Sequence, residues 1–292
     1  MSHPFRFGVV SMGTPPHTRS SWLDQARRCE DLGYSSLLMP DVPSVGGLAP
    51  FSALTMAAAV TTTLRIGSFV FNNELRHPLL LAREAATLDV FSNGRLELGL
   101  GVGYGPQESQ KMGLPFASGG ERVQHLQETI DIIKQISTKE RVTYTGKYYT
   151  IKDVAGTPAP VQQPHPPILL AGAGERILKL AGREADIVEV AIMFQESNTS
   201  IEQKLKWVKE GAQERFPARE LSKTVYYLHI TDSKQKATAA PGGPQVPVQE
   251  MSTQQAIEHL LALREQYGFS YLKVHEGQIE NFAPIVARLH GR

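Results

Sequence analysis

The sequence predicts an α/β fold built as a closed barrel of eight parallel strands. Short apolar runs alternate with longer amphipathic segments along the 292 residues, which is the rhythm of repeated β–α units. The strand candidates read as continuous apolar runs, such as Ile168-Leu169-Leu170-Ala171 and Asp186-Ile187-Val188-Glu189-Val190, as strands covered on both faces do. A doubly wound sheet would place a glycine-rich phosphate loop after the first strand. That position instead reads Gly13-Thr14-Pro15-Pro16. Single TIM (β/α)8 barrels run to about 250 residues, so residues 1–292 are expected to form one such domain.

In chain order, Phe5–Ser11 is the first strand. A helix over Ser20–Leu32 follows, with Ser20 or Ser21 as N-cap and Gly33 past its end. Ser35–Met39 is the second strand, closed by Pro40, and Pro50–Thr62 an alanine-rich helix. Leu64–Phe71 is the third strand. Pro78–Phe91 is a helix opened by proline, whose missing N–H costs little in a first turn. Arg95–Leu100 is the fourth strand, and Glu121–Ile136 a helix with apolar positions at Val123, Leu126, Ile130, Ile133 and Ile136. Ile168–Ala171, Asp186–Ile192, Thr224–Thr231 and Tyr271–His275 complete the strands. Helices over Glu175–Arg183, Ile201–Glu214, Thr253–Tyr267 and Asn281–Leu289 complete the outer layer. Two segments interrupt the rhythm. Arg141–Ile151 alternates about Gly146, as an inserted β-hairpin would. Residues 232–250, rich in Gly, Pro, Ala and Gln, stand as an atypical loop after the seventh strand, either a surface loop or a lid over the barrel mouth.

Thirty basic residues against 29 acidic ones leave a formal charge of +1, so no general electrostatic case exists for nucleic acid or an anionic membrane. No run approaches the roughly 18 apolar residues of a membrane span, and the first residues lack the pattern of a secretory signal. The one cysteine, Cys29, has no intrachain partner. A cytoplasmic protein acting on a small molecule is expected. No His/Cys cluster has metal-ligand spacing and no G-x-S-x-G elbow is present, so no metal is expected.

Several segments, in order, resemble one family. They are F-R-F-G-V at the start, A-R-R-C-E-D-L-G-Y-S-S-L-L-M-P-D at 26–41, and the block at 64–103 that includes G-S-F-V-F-N-N-E-L-R-H-P and ends L-G-L-G-V-G. P-P-I-L-L-A-G-A-G-E-R at 166–176 and A-D-I-V at 185–188 follow. The pattern is similar to the luciferase-like monooxygenase superfamily, and within it to the deazaflavin (coenzyme F420)-dependent oxidoreductases. The resemblance implies a TIM barrel, commonly a homodimer, holding coenzyme F420 (an 8-hydroxy-5-deazaflavin) or FMN at the C-terminal ends of the strands.

In such a barrel the site residues stand at those ends. The resemblance implies a non-prolyl cis peptide at Phe69–Val70 that backs the cofactor ring, with Asn72 either at the ring's polar edge or capping the loop. Gly99, Gly101 and Gly103 leave one strand face bare, for a planar ring or for close packing. Tyr104 then walls the mouth, and Met12 ends the first strand. Ala171, Gly172, Ala173 and Gly174 let backbone N–H groups approach a phosphate at a helix N-terminus, and Arg176 adds a full charge. The same residues also satisfy a tight strand–helix turn. Relatives carry Asp-His where this chain has Asp41-Val42, so a histidine-based proton transfer is not carried over. Asp41 and Glu189 are the expected proton carriers, with His229 and His275 behind them. Relatives with an arginine near Val102 use it for the FMN phosphate, and valine there disfavours FMN. The expected activity is hydride transfer between the deazaflavin and a small organic substrate. The alternatives are an FMN-dependent monooxygenase using molecular oxygen and a non-catalytic flavin-binding barrel.

Overall fold

The computed structural model describes residues 3–12, 18–45, 47–191, 200–233 and 248–292. The chain runs β1 (Arg6–Val10), α1 (Arg19–Asp31), β2 (Ser36–Met39), α2 (Pro50–Val60), β3 (Arg65–Ser68), β4 (Phe71–Asn72), α3 (Pro78–Phe91) and β5 (Leu96–Gly101). It continues through α4 (Pro106–Lys111), α5 (Gly119–Thr138), β6 (Arg141–Thr145), β7 (Thr150–Ala155), β8 (Ile168–Gly172), α6 (Glu175–Glu184), β9 (Ile187–Val190) and α7 (Ile201–Ala212). It closes with β10 (Glu220–Thr224), β11 (Leu228–Ile230), β12 (Gln249–Met251), α8 (Thr253–Tyr267), β13 (Phe269–His275) and α9 (Ile279–Leu289).

The order β3-β2-β1-β13-β10-β9-β8-β5 is closed by pairing of β3 with β5, and every pairing in it is parallel. This is the expected TIM barrel. Its main apolar core lies between the strands and the helices, where Phe5, Phe7, Leu37, Ile66, Leu98, Leu170, Val188 and Leu272 are shut from solvent. A smaller cluster of Val10, Leu38, Leu169, Ile187 and Tyr271 fills the barrel itself.

Below that cluster the barrel floor is ionic. Arg6 reaches Glu97 at 2.5 Å and Glu220 at 2.6 Å, and Arg65 reaches Glu97 at 2.8 Å. The Tyr271 hydroxyl donates to Glu97 at 2.9 Å. Burial alone would push the Glu97 carboxyl up, but Arg6 and Arg65 outweigh it and hold the group below its ordinary range. The chain ends meet beneath this layer: Phe5 N–H donates to the Arg292 carbonyl at 2.9 Å, and Gly291 N–H to the Phe5 carbonyl at 3.0 Å.

Local signals explain several element ends. Pro78 opens α3 as expected, with His77 Nδ1 accepting from Leu79 N–H at 3.2 Å. Ser252 caps α8, and Gly268 ends it in the left-handed region at φ +83°. The expected hairpin is present as the antiparallel pair β6–β7, and its turn docks on α5 because Glu128 accepts from Lys147, Tyr148 and Tyr149 N–H at 2.8–3.1 Å.

Three expectations are corrected. The cap of α1 is Thr18 rather than Ser20 or Ser21. The third strand is interrupted: β3 stops at Ser68, and Phe71–Asn72 re-pairs with β5. The seventh barrel strand is Glu220–Thr224 rather than Thr224–Thr231, and Leu228–Ile230 pairs with β12 outside the barrel. At the start of β5, Arg95 donates to the main-chain carbonyls of Ser92, Leu64 and Ala58 and to the Thr61 hydroxyl. The segment expected as a loop or lid has residues 234–247 outside the described residues, and so does Ile192.

Candidate functional site at the barrel mouth

The interruption between β3 and β4 is the centre of the mouth. The peptide bond Phe69–Val70 is cis, as the resemblance implied. Val70 lies against the next strand, where a Cβ on Gly101 would sit 2.7 Å from Val70 Cγ2 and one on Gly99 would strike the Ser68 carbonyl. The glycines at 99 and 101 therefore leave room for Val70 and the Ser68 carbonyl. Gly103 has φ +82°, and a Cβ there would stand 2.9 Å from Asn72 Oδ1. Asn72 itself caps the loop, its Oδ1 accepting from Glu74 N–H at 3.0 Å. Tyr104 is 68% exposed on the rim. Arg122, on α5, tethers this loop to its helix by donating to the Val102 carbonyl at 2.5 Å and to the Ala117 carbonyl at 3.2 Å.

One strand further round, β8 ends in Ala171-Gly172 and leads through Ala173 into α6. Gly174 is the N-cap residue of α6 and supplies no side-chain cap to its first turn. Open space surrounds the position of a Cβ on Gly174. The neighbouring helix α5 differs, since its first turn is closed by a Ser118–Glu121 capping box. Arg176 is exposed, and its guanidinium lies beside Gly120 at the start of α5, 2.6 Å from where a Cβ would stand. N–H groups without an N-cap side chain, the positive end of a helix and an adjacent guanidinium can make an anion cradle.

Asp41 ends β2, nine-tenths buried. Arg76 binds both its oxygens, and Asn72 N–H approaches at 3.4 Å. Met12, Asp41, Val42, Leu48 and Arg76 line a cavity of about 240 Å³. Glu189 lies deeper, inside the barrel. Its Oε2 meets Lys273 Nζ at 2.7 Å and the Ser222 hydroxyl, while Oε1 accepts from Thr224 N–H at 3.0 Å. Burial lowers the Lys273 pKa, with Glu189 opposing, and its ammonium also lies 4.9 Å from the Phe69 ring centroid. Both carboxylates expected as proton carriers are thus held by cations.

Of the two histidines, His229 sits on β11, half-exposed and 3.9 Å from Glu250, away from the bulge. His275 ends β13 on the interior face, in register with Val10. The structure brings Phe69, Val70, Gly101, Ala171 and the 172–176 loop onto neighbouring strands, with Asn72, Gly103 and Tyr104 above them. Among the described residues no group of three or more His, Cys, Asp or Glu side chains is placed to hold a metal, and no helix is long and apolar enough to cross a membrane.

Comparison with known proteins agrees with this geometry. The model of the luciferase-like monooxygenase family matches residues 2–241. An F420-dependent glucose-6-phosphate dehydrogenase of Microbacterium testaceum is 35% identical over 193 residues, which are 64% of this chain and 56% of that relative. The chain therefore spans little more than half the length of that protein. Among solved structures, the coenzyme F420-dependent tetrahydromethanopterin reductase of Methanopyrus kandleri superposes with a TM-score of 0.78 at 20% identity, covering 96% of this chain and 97% of that one. A long-chain alkane monooxygenase superposes with a TM-score of 0.80 at 14% identity, covering 99% and 92%. At those identities the likeness concerns the fold. With its closed barrel, its cis bulge and a family match over most of its length, this chain belongs to the luciferase-like monooxygenase family.

Proposed function

We propose that the protein is an oxidoreductase that moves hydride between coenzyme F420 and a small organic substrate at the barrel mouth. The observation that carries this reading is the uncapped start of α6 beside Arg176, one strand away from the cis bulge. A planar ring resting on Phe69–Val70 and a phosphate on residues 172–176 fit this spacing of functions. The 35% identical relative named as F420-dependent supports the choice of a deazaflavin. Valine at 102 supports it too, because its side chain offers an FMN phosphate no charge.

When bound, the coenzyme supplies the hydride chemistry. The chain's own residues do the rest. The bulge closes one face, so that substrate approaches from the other. Residues 172–174 and Arg176 bind the anionic tail. Asn72 and Gly103 shape the rim, and Tyr104 and Met12 bound the opening. The Asp41–Arg76 pair fixes the wall of the adjoining cavity, and the Glu189–Lys273 pair supports Phe69 from below.

Titration of the purified protein with coenzyme F420 and with FMN, followed by absorbance and fluorescence, tests this. Saturable micromolar binding of F420 in preference to FMN is expected. Replacing Arg176 with Ala removes a charge-assisted contact of about 1.5–3 kcal/mol, so F420 affinity should fall about 10- to 100-fold. Preference for FMN would overturn the deazaflavin reading and favour oxygen chemistry, and failure of both to bind would overturn the flavoenzyme reading.

A further inference from the structure

His275 stands where the mouth meets the barrel interior. Only 7% of it is exposed. Its Nδ1 accepts from Gly277 N–H at 3.1 Å, which requires a lone pair on that nitrogen and puts the proton of the neutral ring on Nε2. Burial disfavours the imidazolium and lowers the pKa, with Glu276 opposing, so the ring is neutral near neutral pH. The result is an N–H donor of fixed direction. Yet Nε2 is buried and has no hydrogen-bond partner among the described residues. Glu276, the nearest acid in sequence, has its oxygens taken by the Ser11 hydroxyl, Met12 N–H and Gln25. Tyr226 offers its ring, edge to face at 6.0 Å.

A buried donor without an acceptor costs about 1–3 kcal/mol, so its retention marks a place where an acceptor arrives from outside. The strand order says which acceptor. Around the barrel, β13 lies opposite β5, and β3 and β8 flank β5. The bulge and the anion loop are therefore on one wall, and His275 is on the facing wall. A ring backed by Phe69–Val70 turns its open face toward His275.

We propose that the Nε2–H of His275 hydrogen-bonds the oxygen of a substrate whose reacting carbon is at the alcohol or carbonyl level. This rests on the hydride-transfer reading above, and it makes His275 a substrate-binding group that the absent histidine at position 42 does not replace. Charge gathers on that oxygen as the carbon–oxygen bond order changes, and a preset donor stabilises it.

The test uses the full chain with labelled histidine. The 15N resonance of His275 Nε2 is followed while F420 and then acetone, as a minimal carbonyl probe, are added; acetone is also added to protein without coenzyme. The expected result is an Nε2–H tautomer throughout, little change with F420 alone, and a shift with acetone. In parallel, His275→Asn keeps an oxygen that can accept from Gly277 N–H but withdraws the donor from the pocket. For carbonyl compounds reduced by the loaded enzyme, H275N should lower kcat/KM about 100-fold with F420 affinity unchanged and a cooperative unfolding transition retained. A resonance that moves with F420 and not with acetone would assign the donor to the coenzyme and overturn the proposal. So would a resonance that moves with neither, or an H275N enzyme as active as wild type. If F420 fails to bind wild-type protein, the proposed function falls by itself, and the coenzyme-free acetone titration still decides the role of His275.

Discussion

Lys223 carries an unusual charge for its surroundings. On β10, it is 4% exposed, and its ammonium lies 5.9 Å from the ring centroids of both Tyr227 and Phe269. Burial lowers its pKa to about 8, with Glu189 opposing and Lys204 adding to the fall. The ordinary, unfolded value is 10.5. Below about pH 8 both states are protonated, and the folded one bears the full cost of the buried charge. As pH rises from 8 to 10.5 the folded state loses its proton first, so stability rises and the cost disappears. The gap corresponds to about 3 kcal/mol. Lys223→Met should therefore raise the unfolding free energy in urea at pH 7 by up to about 3 kcal/mol, and the gain should shrink toward pH 10.5. An equal gain at both pH values would show that lost charge is not its cause. The strand that carries Lys223 is hard to recognise in sequence. Glu220-Leu221-Ser222-Lys223-Thr224 lacks the apolar character of a buried strand, because Ser222 serves the Glu189–Lys273 pair; the run that follows it is the more apolar of the two.

At the scale of elements, legibility followed local chemistry. The bounds of α3 and α8 were readable because proline, a capping serine and a left-handed glycine act within a few residues. The cis bond was reached through family resemblance, since no local propensity encodes it. The ion pairs of Asp41 with Arg76 and of Glu189 with Lys273 join residues 35 and 84 apart in the chain, and sequence spacing carries no trace of them. The orphaned donor of His275 was equally invisible, because it depends on which acceptors are absent. Docking of the β6–β7 hairpin is a further tertiary fact. Glu128 anchors its turn through three main-chain bonds, so Glu128→Ala should cost about 1–3 kcal/mol. It should also speed amide exchange at Lys147, Tyr148 and Tyr149, read by mass spectrometry, while leaving exchange in β8 and β13 unchanged. Uniform acceleration across the protein would contradict this local role.

For the whole molecule, the two ends of the barrel do different work. The mouth has open groups: the start of α6, Arg176 and His275. The floor is saturated, with Arg6, Arg65, Glu97, Glu220 and Tyr271 satisfying one another. Glu97→Gln leaves the two arginines short of an anion in a site the fold has desolvated, and breaking such a pair costs about 3 kcal/mol or more. Because the folded pKa of Glu97 is depressed, its contribution is complete above the ordinary carboxyl range and is lost as pH falls through the folded value. Chemical denaturation should show the full deficit of E97Q at pH 7 and a smaller one in strong acid, with F420 binding intact at pH 7.

The meeting of Phe5 with Gly291 and Arg292 has a consequence for connectivity. Joined by main-chain hydrogen bonds of 2.9 and 3.0 Å, Phe5 and residues 291–292 form a seam. Linking them would add a loop with little closure entropy, and the barrel would then be a ring of β–α units with no privileged first strand. Such a ring can be reopened at an exposed turn whose backbone is not tied to a neighbouring element. The order in which the ribosome delivers the strands is then separable from the order in which they close, and circular permutants of this sequence would carry the same mouth on a different chain.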